Sequence, residues 1–109
     1  MRIRLLQKEH EKLASTHNEA KYRFILTELE LAITFCDVAL GSDDRARSKR
    51  NTVNARHAYE AATHFLADAN FSDQMKAALQ EKVVKIRALL RRVDRHANRL
   101  AARKSLATN

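Results

Sequence analysis

A chain of 109 residues is one domain's worth of polypeptide, enough for a modest core but not for a deep catalytic cleft. With no proline, one glycine and 6% aromatic residues, the composition argues against sheets and leaves helical periodicity almost uninterrupted. The 21 lysines and arginines outnumber 13 acidic residues for a net charge of +8, which points toward anionic partners.

The N-terminal run Met1-Arg2-Ile3-Arg4-Leu5-Leu6-Gln7-Lys8 turns polar after two leucines and has no apolar region long enough for a secretory signal. A cytoplasmic protein is expected. A first helix is predicted over about residues 4–40, ended by Gly41 in the left-handed conformation that glycine tolerates. Two apolar stripes overlap on it. One runs through Leu6, Leu13, Ala20, Phe24, Leu31, Phe35 and Val38; the other through Tyr22, Ile25, Leu29, Ile33, Cys36 and Leu40. Together they span about twice the ~100° stripe that a surface helix needs. A second copy of the chain would cover the excess, so Tyr22, Ile25, Leu29, Ile33 and Leu40 are the candidate self-association residues. Arg23, Glu28, Glu30 and Asp37 lie within this most apolar stretch and exclude a membrane-spanning helix. Cys36 is the lone cysteine, so neither an intramolecular disulfide nor a cysteine metal site can form, and a buried, inert thiol is expected. Glu28 intrudes on an apolar stripe, where an arginine of another helix is its expected partner.

Ser42-Asp43-Asp44 can cap a second helix over about residues 45–69, with Ala55, Ala58, Tyr59, Ala62, Phe65, Leu66 and Ala69 on one face. The segment Ala55-Arg56-His57-Ala58-Tyr59-Glu60-Ala61-Ala62-Thr63-His64-Phe65-Leu66 resembles the second helix of a tetratricopeptide hairpin or of a microtubule-interacting-and-transport domain. The resemblance covers 12 of 109 residues and implies helical-hairpin packing and a peptide-binding groove. No 34-residue repeat recurs, the turn lacks the proline of those families, and no functional residue carries over.

Ser72 or Asp73 can cap a third helix over about residues 73–104. Its stripe Leu79, Val83, Ile86, Leu90, Val93, Ala97, Leu100 alternates steps of four and three, which is a heptad seam. Short connections make neighbouring helices antiparallel. The expected fold is therefore a single all-α domain over residues 1–109, an antiparallel three-helix bundle with long first and third helices and coiled-coil-like packing.

Charge is concentrated at the C-terminal end. Residues 1–41 hold six charges of each sign, whereas residues 72–109 hold ten positive and three negative. Arg87, Arg91, Arg95, Arg99 and Arg103 recur every four residues, joined by Arg92, and fall opposite the heptad seam. Like charges four apart cost a few tenths of a kcal/mol per pair, and Asp94 can neutralise only part of the ladder. An anionic ligand would relieve the strain. A solvated, solubilising face is the plain reading; as a binding face it suits an acidic protein partner, with sequence-nonspecific nucleic-acid binding the alternative although no aromatic residue lies among the arginines and no reader motif is visible. The pairs His10/His17 and His57/His64 are seven residues apart, too far for one metal ion without a second helix, so no metal or cofactor is expected. His10 and His17 continue the first stripe as interfacial polar residues, and His57 and His64 flank the second helix as exposed ones. No phosphate loop, nucleophile elbow or paired carboxylate with a base is present, and the reading is a non-enzymatic, self-associating helical interaction or scaffold module.

Overall fold

The unbroken periodicity is realised as α1 (Arg2–Leu40), α2 (Arg45–Ala67) and α3 (Asp73–Thr108). The structure is a computed structural model that describes residues 2–67 and 70–108, with side chains over 17–67 and 70–103. Leu6, His10 and Leu13 of the first stripe lie outside the described side chains, and Ala69, expected on the second helix, lies outside the described residues.

Both turns are closed by the polar residues expected there. Asp44 caps α2, its Oδ1 accepting from the amides of Ala46 at 3.0 Å and Arg47 at 3.4 Å. Ser72 caps α3, its Oγ accepting from the Met75 amide at 3.2 Å. Gly41 does not adopt the left-handed conformation expected of it. The chain instead continues its right-handed winding: the Gly41 amide donates to Asp37 O at 3.0 Å, and the Ser42 amide to Ala39 O at 3.4 Å. A Cβ at Gly41 would stand 3.4 Å from the Asp37 carbonyl, an ordinary contact. The cap on α2, rather than glycine's freedom, ends α1.

The helices run up, down and up. Phe24 meets Phe65 and Ser48 Oγ donates to Ala39 O, so α1 and α2 are antiparallel. Asn18 donates to Asn70 O, Glu30 pairs with Lys82, and Ser42 O lies against His96, which sets α3 parallel to α1. At about 1.5 Å per residue the 39 residues of α1 span about 58 Å and the 23 of α2 about 34 Å. Because α1 overhangs the start of α3 and α3 overhangs the end of α1, the bundle is a rod longer than any one helix, 81 Å long and 21 by 18 Å across.

All three helices feed one core. From α1 it takes Ile25, Leu29, Ala32, Cys36 and Ala39, each with 0% exposure and spaced by four, three, four and three. From α2 come Ala55, Ala58 and Ala62, and from α3 the expected seam, with Leu79, Val83, Ile86, Leu90, Val93 and Leu100 buried and Ala97 half-buried. Leu89 joins them. Small residues on both sides let α1 and α2 approach closely, since Ala32, Cys36 and Ala39 face a helix whose buried apolar positions are all alanine. Ser48, the one buried polar residue among the described side chains, is satisfied at 3.0 Å by the Ala39 carbonyl.

This packing corrects the expected self-association surface. Ile25 and Leu29 have no exposed area to offer another chain, and Tyr22, Ile33 and Leu40 are half-buried and packed against the core. They hold the monomer together. The stripe left in water is the first one, with Phe24 at 44%, Leu31 at 40% and Val38 at 37% exposure. Bulky side chains there would hold two helices apart, whereas the small residues of the second stripe let them close. Phe65 is likewise turned out of the core, at 43% exposure.

Candidate interaction faces

Two surfaces stand out: the arginine face of α3 and the open stripe of α1. A step of four residues turns each rung about 40° beyond the last, so the ladder winds across the outer side of α3. Arg87, Arg91, Arg92, Arg95, Arg99 and Arg103 are all exposed. The winding starts at the α2 flank, where Arg87 Nε donates to Tyr59 Oη at 2.9 Å.

The acid nearest in sequence does not serve the ladder. Asp94 turns to α2, where Arg56 Nη2 donates to Oδ1 at 2.7 Å and Oδ2 at 2.8 Å. With the two side chains 44% and 55% exposed, this bridge contributes at most about 1 kcal/mol. Its larger effect is on the field, because Asp94 is held by a cation outside the ladder. Arg45 and Lys49 at the start of α2 line a cavity of about 260 Å³ with Asn98 and Ala101 of α3, so the α2 wall of the α2–α3 groove carries two cations there.

Other expected sites fall elsewhere. Glu28 is half-buried and, among the described residues, no cation lies within ion-pair distance of it; the carboxylate that bridges to α3 is Glu30, 3.8 Å from Lys82. The helical turn from 28 to 30 explains this, since Glu28 lies toward the α2 flank with Phe24 and Phe35. His57, His64 and His17 are exposed. Cys36 is buried, and burial, reinforced by the Asp37 carboxylate, pushes its thiol up to about 11. Among the described residues no three His, Cys, Asp or Glu side chains converge on a point that could hold an ion. No described helix is long and apolar enough to cross a membrane.

No known protein family, curated protein or solved structure matches the chain. Its faces must therefore be read from their own chemistry.

His96 was not expected to matter. Its Nε2 lies 2.8 Å from Ser42 O, and because a carbonyl only accepts, Nε2 carries the proton. This bond ties the α1–α2 turn to the basic helix. In sequence His96 is hidden among arginines, and only its spacing, three residues after Val93 and four before Leu100 of the seam, sets it beside the core.

On α1 the exposed residues have an order that the broad stripe concealed. Ala20, Phe24, Thr27, Leu31, Thr34 and Val38 are all exposed and follow steps of four, three, four, three and four. This is a second heptad seam, alongside the buried one. Phe24 meets Phe65 of α2 edge to face, with centroids 5.2 Å apart, and the two line an open cavity of about 270 Å³ with His17, Ala20 and Lys21.

Proposed function

We propose that this chain is a non-enzymatic helical interaction module of the cytoplasm that assembles with a second copy and presents the arginine face of α3 to an acidic protein. The observation that carries the reading is the uncompensated ladder: five exposed arginines at four-residue steps, with Asp94 engaged by Arg56 instead. Repulsion along the ladder costs the free protein stability, and carboxylates docked across it relieve that cost. The α3 face holds no aromatic residue on which a base could stack.

Sequence-nonspecific nucleic-acid binding is the second reading, favoured by Arg45 and Lys49 on the α2 wall of the α2–α3 groove, which add to the positive charge of α3. Salt separates the two. Binding of a random DNA duplex and of a glutamate-rich helical peptide is compared between about 50 and 200 mM salt by fluorescence anisotropy. The leading reading expects peptide binding to persist at the higher salt while DNA binding is weak throughout. Tight DNA binding that falls by 10³-fold or more over this range, as counterion release from ~6 or more phosphates demands, would replace it with the second reading.

A further inference from the structure

We infer that the second copy seats on the outer face of α1, along the exposed seam Ala20, Phe24, Thr27, Leu31, Thr34 and Val38, with Phe65 of α2 at its flank. The inference rests on the self-association reading and says where and why it happens. Three observations on this face favour a second copy.

The spacing is that of a helix-pairing surface. Steps of four and three keep a seam facing one partner helix along its whole length, whereas scattered surface apolars show no such order. By sequence alone the same register, carried toward the N-terminus, lands on Leu13 and Leu6.

The charge is right for self-pairing. Net charges of +8 would repel, but residues 1–41 hold six of each sign, so α1 is the neutral helix of the chain. Lys21, Arg23 and Glu28 border the seam with both signs, so another α1 brings opposite charge to it. An acidic helix of the kind that suits the α3 ladder would gain no such match here. The excess positive charge sits on α3, which packs against the other flank of α1 through Tyr22–Phe71 and Glu30–Lys82, away from the seam.

The surface also has relief. The cavity beside Phe24 and Phe65, about 270 Å³ and open to solvent, can take an apolar side chain of the facing seam.

The test is solution mass by light scattering at high micromolar concentration, on the full chain and three variants. The wild type is expected at twice 12.5 kDa, Leu31→Glu at the monomer mass, and both Val84→Glu, an exposed α3 site, and Arg95→Glu at the dimer mass. Circular dichroism checks that each variant is helical. Should Leu31→Glu fail to fold, Thr27→Glu, exposed in the same seam, takes its place with the same expected monomer. A wild-type dimer that survives both seam substitutions overturns the seam while leaving self-association standing. A wild type that is monomeric overturns both.

Discussion

Cys36 and Ser48 show what single residues do in a core this thin. Cys36 has no exposed surface, and its thiol titrates near 11 rather than at the ordinary 9.0 because burial disfavours the thiolate and Asp37 adds a like charge. The sign of the linkage follows. The native state holds the proton more tightly than the unfolded chain, so the contribution is fully present below pH 9 and is lost as pH rises through about 11. At 1.36 kcal/mol per pH unit the loss is on the order of 2 kcal/mol. Urea unfolding of the wild type beside Cys36→Ala should show the wild type's advantage narrowing between pH 9 and 11, with a constant gap counting against a buried thiol. A thiol reagent at pH 8 should label the native protein only as fast as it unfolds. Ser48 teaches the complementary lesson. A serine in the polar start of α2 reads as surface, and nothing in its neighbours Arg47 and Lys49 says otherwise. Its burial comes from the antiparallel alignment that sets it on the last turn of α1, where its hydroxyl satisfies a helix-end carbonyl.

At the scale of the element, α1 is the unusual part, since it carries one heptad seam inside the bundle and another outside. The three helices and their caps were legible in the sequence, because composition, Asp44 and Ser72, and the α3 spacing all agree. Which α1 stripe faces inward was not. Periodicity finds stripes, and hydrophobic size favours burying Phe24 and Leu31. The partners decide instead, and α2 contributes Ala55, Ala58 and Ala62, which reward the closest approach and hence the alanines and cysteine of α1. The clue lay in Ala32 and Ala39, which complete the four-three spacing of Ile25, Leu29 and Cys36. Two leucines a half-turn apart therefore differ sharply. Leu29→Ala should cost about 2–5 kcal/mol by opening a cavity among fully buried neighbours. Leu31→Ala, measured at concentrations low enough to keep the chain monomeric, should cost under about 1 kcal/mol. Equal losses would mean that the buried seam has been assigned to the wrong side of the helix.

For the whole molecule, apolar and charged functions are segregated along different helices: α1 neutral with an open seam, α3 basic with its seam closed. In the proposed assembly copies meet on one flank and the arginine ladder stays free on the other. The ladder's basic character was legible from the four-residue spacing, but its lack of compensation was not, because Asp94 stands three residues from Arg91 and one from Arg95 and turns away from both. Arg95→Glu tests what the ladder is for. The new carboxylate stands four residues from Arg91 and from Arg99, and each pair gains a few tenths of a kcal/mol where repulsion stood before. The isolated protein should therefore become slightly more stable, by under about 1 kcal/mol at low salt, an advantage that shrinks as salt screens it. Binding of the glutamate-rich peptide should weaken in the same variant, because a contact charge has been reversed. The two measurements move in opposite directions only if the face is a docking surface whose repulsion is kept for a partner. A gain in stability with peptide binding unchanged would make the ladder a solubilising surface, and would leave the open seam of α1 as the face through which the molecule acts.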